Sequence, residues 1–264
     1  MRAIDYAGRA VVITGGTRGI GAGIARAFLD AGADVLVCGR GEPAGELPAA
    51  GGRSAVFTQA DVRDPDQAQR LVSEAAERFG RVDVVVNNAG GGPQVAAAAA
   101  SPRLHARIIE LNLTGPLHVA QSANAVMQEQ DSGGSIIMIG SVSGVRPSPG
   151  AAAYAAAKAG LHHLAATLAV EWAPKVRVNT VVAGPVATDA GAAAHYGDDS
   201  AQAAIGLTIP MGRMATPGDV ADACLFLASP LAGYVSGAAL LVHGGGEVPA
   251  YLGAAQAPPP GPQD

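Results

Sequence analysis

The sequence predicts an α/β fold, and three observations carry that expectation. Short runs rich in apolar and β-branched residues alternate with stretches whose apolar residues recur at helical spacing. The first such run, Ala10–Thr14 (A-V-V-I-T), passes straight into a glycine turn and then a helical pattern through Ile24, Ala25, Phe28 and Leu29, which Gly32 ends. With 264 residues, 49% of them hydrophobic, the chain can bury a full core, as one α/β domain or two small ones.

The remaining elements follow in order. Asp34–Gly39 (D-V-L-V-C-G) reads as the second strand, and residues 41–52 as a loop with room for one short helical turn. Ser54–Gln59 is the third strand. Pro65–Phe79 is an amphipathic helix with Asp64 as its N-cap and Gly80 just past its end. Val82–Val86 is the fourth strand, and Gly91–Pro102 is of low complexity with Gln94 as its one functional side chain. Arg103–Met127 is helical, although Asn112 inside it competes for backbone hydrogen bonds. Ser135–Gly140 is the fifth strand, a helix runs from Tyr154 to Trp172, and Val176–Val182 is the sixth strand. Asp219–Ala228 is a helix, and Ala238–Val242 is the last strand. After Leu252 a Pro-rich tail begins that cannot pack by itself.

Two places carry chemistry. The turn after the first strand reads T-G-G-T-R-G-I-G, with Gly15, Gly19 and Gly21. Strand, glycine turn and helix form the context of a dinucleotide-binding loop, where bare backbone and a helix N-terminus meet a pyrophosphate. An acid about 20 residues on would hold the ribose of NAD, but Gly39 stands there, followed by Arg40. Arg18 can reach the same spot, and two cations without a carboxylate suit the extra phosphate of NADP; two ordinary surface arginines are the other reading. The second place is Ser141–Lys158. Ser141 ends a strand, on the edge where ligands bind in open parallel sheets. Tyr154 and Lys158 are four residues apart, hence on one helix face, and Lys158 is one of only two lysines. A cation beside a phenol lowers its pKa from about 10, and a drop of two to three units needs about 3–4 kcal/mol. By itself such a pair is more often a surface neighbour than a catalytic couple.

Together these segments resemble the classical short-chain dehydrogenase/reductase family, over about Arg9 to Gly246. The motifs are T-G-x-x-x-G-x-G at Thr14–Gly21, N-N-A-G at Asn87–Gly90, and Ser141, Tyr154 and Lys158 in the family's order and spacing. Around Ser141 and Tyr154 the likeness is to 3-oxoacyl-carrier-protein reductases and related carbonyl reductases. The resemblance implies one doubly wound Rossmann domain with a seven-stranded parallel sheet, over residues 1–252; the Pro-rich composition of 253–264 implies a flexible tail. It implies hydride transfer between NADP(H) and a ketone or secondary alcohol. Tyr154 would be the acid or base, Lys158 would lower its pKa and hold the nicotinamide ribose, and Ser141 would bind the substrate oxygen. Asn112 would sit at a helix kink and support a water relay. The oxidised nicotinamide would be a second positive charge beside Tyr154. The cofactor would meet Gly15, Thr17, Arg18, Gly19, Ile20, Gly21, Arg40, Asp61, Val62, Asn88, Ala89, Gly90, Tyr154, Lys158, Gly184, Val186 and Thr188. The family's P-G after the sixth strand is replaced by Ala183-Gly184-Pro185, so the loop there departs from the pattern. Asp189–Pro210 falls where the family has a mobile lid, and His195 and Tyr196 read equally as lid tip or solvent-facing loop. His243 has no role in this reading. Assembly into homodimers or homotetramers would use the two long helices and the last strand.

Other classes fit less well. A net charge of −5 supplies no basic face for nucleic acid. No apolar run has the length of a membrane span, and Asp5 with no apolar stretch around it argues against a signal peptide. Cys38 and Cys224 lie in no metal-ligand pattern and fit a reducing cytoplasm, so no metal is expected. Two alternatives remain: an NAD-dependent alcohol or steroid dehydrogenase working oxidatively, and a non-catalytic cofactor-sensing regulator. The substrate is not legible.

Overall fold

The computed structural model describes residues 4–188 and 195–249. The elements are β1 (Ala10–Thr14), α1 (Gly19–Asp30), β2 (Asp34–Gly39), β3 (Ala49–Ala50), β4 (Arg53–Ser54), β5 (Val56–Gln59), α2 (Pro65–Phe79), β6 (Val84–Asn87), α3 (Pro102–Ile109), α4 (Gly115–Glu129), β7 (Gly134–Ser141), α5 (Ala152–Glu171), β8 (Val176–Ala183), α6 (Asp199–Thr208), α7 (Pro217–Ala228) and β9 (Ala239–Val242).

Seven strands form one sheet in the order β5-β2-β1-β6-β7-β8-β9, and every neighbouring pair is parallel. The chain starts at β1, builds outward through β2 to β5, then crosses to β6 and builds the other way. The doubly wound seven-stranded expectation therefore holds. Side chains alternate faces along each strand. Val12, Leu36, Val85, Ile136 and Val178 pack against α2, α4 and α5, while Val11, Ile13, Val35, Val86 and Val181 pack against α1 and α7. Both faces are covered, which is why the central strands are apolar without alternation.

Helix ends follow local chemistry. Asp64 accepts from the N–H groups of Asp66 and Gln67 at 2.9 and 3.2 Å, and Gly80 closes α2 at φ 74°. Thr216 and Asp219 form a capping box that starts α7 at Pro217, two residues before the expected start. Between Gly39 and β5 there is no helical turn; β3 and β4 make a short antiparallel ladder, and β5 begins at Val56 rather than Ser54. The expected helix over 103–127 is broken by one π-helical turn, Glu110–Thr114. The Asp189–Pro210 segment contains α6; its first six residues, 189–194, and the tail at 253–264 lie outside the described residues. Among the described residues no helix is long and apolar enough to cross a membrane.

Candidate active site

The C-terminal ends of β1, β2, β6, β7 and β8 open into one cleft of about 740 Å³. This is the edge where open parallel sheets bind ligands, next to the point at which strand order reverses between β1 and β6. All seventeen residues expected to meet a cofactor, Gly15 to Thr188, line it together with Ser141.

The β1–β2 side is made of backbone. Gly15 turns at φ 63°, and a Cβ on Gly21 would lie 2.3 Å from the Gly15 oxygen and 2.5 Å from Asn88 Nδ2, so only glycine fits there. Asn88 fixes the turn: its Nδ2 donates to the oxygens of Thr14 and Gly15 at 2.9 and 3.1 Å. Thr14 Oγ1 accepts from the N–H groups of Asn88 and Ala89 at 3.0 and 2.9 Å. The sequence reading misses Thr14; the available signal is a hydroxyl closing an aliphatic strand directly before glycines. Helix α1 starts on an extended Arg18, with no side-chain cap and no acid in its first turn. Its leading N–H groups and positive dipole end are left for an anion.

Arg18 and Arg40 stand exposed on the wall, and so does Glu42, an acid three residues past Gly39 that the sequence reading passes over. The Asp61 carboxylate is gripped by Arg63 at 2.5–3.1 Å, which holds it below the usual carboxylate range against the opposing effect of burial. A glycine floor, an uncapped helix N-terminus and wall cations together fit a nicotinamide dinucleotide.

On the β7 side, α5 presents Tyr154 and Lys158 one turn apart. Lys158 is 3% exposed, donates to the Ile139 oxygen at 2.8 Å, and holds its Nζ 5.6 Å from the centre of the Tyr154 ring. Burial pushes its pKa down to about 8. Burial also pushes the Tyr154 phenol above its ordinary value; the Ser141 hydroxyl pulls the other way and Tyr196 adds to the rise. In the protein alone, desolvation of the phenolate therefore outweighs the Ser141 hydrogen bond. Ser141 closes β7, and its hydroxyl accepts the Ser143 N–H at 3.2 Å, capping a 3-10 turn over Val142–Gly144.

Asn112 is buried in the π-helical turn, behind the cleft wall. Its Nδ2 donates to the oxygens of Gly91 and Ile108 at 2.8 Å, and its Oδ1 accepts the Gly91 N–H at 2.8 Å. The side chain is occupied in holding Gly91 and the Ile108 oxygen. A Cβ on Gly90 would lie 2.8 Å from Asn112 Oδ1 and 3.2 Å from Lys158 Nζ, so that glycine keeps the two close.

After β8, the loop with the displaced proline is tied down by Ala215, whose N–H donates to the Pro185 oxygen at 2.9 Å and whose oxygen accepts the Ala187 N–H at 2.8 Å. His243 packs against Gly184, where a Cβ would lie 2.9 Å from the histidine Cβ. A smaller chamber of about 270 Å³ adjoins Ser141 and Tyr154. Its polar lining is Gln94, Ser143, Arg146, Ser148, His195 and Tyr196. The two rings of His195 and Tyr196 meet edge to face, 5.1 Å apart. Arg146 pairs with Glu247 and donates to the Pro147 oxygen. Among the described residues no three His, Cys, Asp or Glu side chains are grouped to hold a metal ion.

Residues 15–247 match the family profile described as enoyl-(acyl carrier protein) reductase. An L-rhamnose 1-dehydrogenase (NAD(P)+) of Azotobacter vinelandii is 36% identical, over 90% of this chain and 96% of its own. A 3beta-hydroxysteroid dehydrogenase 1 of Eggerthella lenta is 38% identical, over 91% of this chain and 94% of its own. Among solved structures, the ligand-free aldohexose dehydrogenase of Thermoplasma acidophilum superposes with a TM-score of 0.83 at 28% identity, over 98% of both chains.

Proposed function

The chain belongs to the short-chain dehydrogenase/reductase family of oxidoreductases, and from that premise we propose that it interconverts a secondary alcohol and a ketone with NADP(H). The family's cofactor is a nicotinamide dinucleotide. One observation carries the proposal: Ser141, Tyr154 and Lys158 share a single cleft with the glycine turn and the uncapped start of α1. The nicotinamide, when bound, supplies or accepts the hydride. Tyr154 gives its phenolic proton to the carbonyl oxygen in reduction and takes the hydroxyl proton in oxidation. A phenol kept protonated by burial suits the first direction. Ser141 donates a hydrogen bond to the same oxygen. Lys158 holds the ribose and carries positive charge near the phenol, and Asn112 keeps Gly91 in place.

Arg18 and Arg40 favour the 2′-phosphate of NADP; Glu42 works against it, so the preference is moderate. The chamber beside Tyr154 is small and of mixed lining, with Gln94, Ser143, Arg146 and Ser148 among its polar side chains, which favours a compact, hydroxylated substrate of the sugar or polyol class over a long acyl thioester. A steroid alcohol with NAD is the second reading, supported by the name of one relative and opposed by the chamber's volume of about 270 Å³. Exposed Val170 on α5 and Leu241 on the edge strand β9 support self-association into a homodimer or homotetramer. The test is a panel of aldoses, 3-oxoacyl thioesters and hydroxysteroids with both cofactors. Turnover of an aldose with NADP+ above NAD+ is expected, its anomeric hydroxyl reacting as the alcohol and yielding a lactone by the same hydride and proton transfer; no turnover of any member would overturn the reading.

A further inference from the structure

The strand that delivers Ser141 loses one neighbour before it ends. On the β8 side β7 is paired through Ser141↔Ala183, but on the β6 side pairing stops at Asn87↔Met138. Ile139 and Ser141 are two residues apart, so their backbone groups face the same way. Both are taken up by α5: Lys158 Nζ donates to the Ile139 oxygen at 2.8 Å, and His162 Nε2 accepts the Ser141 N–H at 3.3 Å. Lys158 and His162 are one helical turn apart, continuing the face that starts at Tyr154. The imidazole is wedged between two glycines. A Cβ on Gly140 would lie 2.3 Å from His162 Nε2, and one on Gly144 would lie 2.7 Å from His162 Cε1.

We propose that His162 is a positioning residue for the reaction: as a neutral imidazole protonated on Nδ1, it stands in for the missing strand and fixes the backbone of Ser141. The catalytic consequence rests on the oxidoreductase reading; the backbone contact does not. The tautomer follows from Nε2 being the acceptor. Protonation would turn that acceptor into a donor aimed at another donor, and Ser141 would be released. On its own helix His162 is faced by the Lys158 ammonium and, a turn further, by the Tyr154 phenol. From β7 and the 3-10 turn it is faced by Gly140, Ser141 and Gly144, which offer backbone and a hydroxyl but no charge. Burial, and secondarily the Lys158 charge, hold the imidazole below its ordinary pKa, which favours the neutral form.

The direct test is nuclear magnetic resonance on the full, isotopically labelled chain between pH 5 and 8. The Ser141 amide should titrate with the same midpoint as the His162 ring, and should stop titrating in His162→Gln, whose side-chain oxygen can accept the same N–H. A Ser141 amide that stays still while His162 titrates would overturn the proposal. Kinetics on oxidation of L-rhamnose and reduction of an acetoacetyl thioester form the second arm. Displacement of Ser141 in His162→Leu should lower kcat about 10–100-fold with the cofactor KM unchanged. His162→Gln should restore most of kcat and flatten the acid limb of the pH profile. Wild-type kcat and acid limb in His162→Leu would refute the role. If the unmodified protein turns over no member of the substrate panel, the functional reading fails by itself, while the amide titration still decides the positioning.

Discussion

The two sides of the cleft are built on opposite principles. The side under β1 and β2 is shaped by what is missing: Gly15 and Gly21 leave room that a single Cβ would close, and Asn88 and Thr14 lock the bare turn in place. The side under β7 and β8 is shaped by what is added, with Gln94, Arg146 and Tyr196 brought in from three separate segments. On the proposed function, recognition of a dinucleotide common to many enzymes would rest on backbone, and recognition of a particular substrate on side chains carried by loops. Between them, α5 supplies groups that belong to both sides.

Tyr154→Phe should separate the two sides most sharply. Loss of a general acid costs about 10²–10⁴ in turnover, while NADPH affinity, measured by fluorescence titration, should hold within about twofold because no backbone of the glycine turn is touched. Near-normal turnover would remove Tyr154 from the chemistry.

Lys158→Met probes the group that bridges the two sides, through stability. The folded-state pKa of Lys158, about 8, lies below its ordinary 10.5. The cost of burying its charge is therefore fully present below pH 8 and is relieved as pH rises from 8 towards 10.5. Denaturant titrations should show wild type gaining on Lys158→Met over that window, by on the order of 3–4 kcal/mol at full relief. The lost Ile139 bond does not titrate and leaves this trend unchanged. A constant difference across pH would mean the lysine is not desolvated.

Gly21→Ala tests the side made of backbone. Its methyl meets backbone and amide atoms that cannot give way, so stability should fall by about 1–3 kcal/mol, or a few degrees in Tm, and NADPH binding should weaken with it. Retained affinity would show that the turn is softer than its packing.

The sequence carries the first side far better than the second. T-G-x-x-x-G-x-G and N-N-A-G can be read because sterics restrict which residues such a turn accepts, and every residue assigned to the dinucleotide faces the cleft. The seven parallel strands follow from apolar runs covered on both faces. What escapes reading depends on tertiary neighbours. Glu42 joins the wall only because the chain after β2 turns back towards it. Thr14 looks like the end of a strand until Asn88 is seen beside it. His162 repeats the four-residue step that draws attention to Tyr154 and Lys158, but its partner is a backbone N–H exposed by the early end of β6, which no local pattern records. The π-helical turn at Asn112 shows only as a polar residue in a helix.

A crystal structure of the unmodified chain grown with NADP+ decides whether one cleft holds a nicotinamide dinucleotide against Ser141 and Tyr154. The pyrophosphate should lie on the N-terminus of α1, the 2′-phosphate between Arg18 and Arg40, and the nicotinamide ring in contact with Tyr154. A dinucleotide bound away from the glycine turn, or crystals that exclude it at saturating concentration, would rule this cleft out as its site.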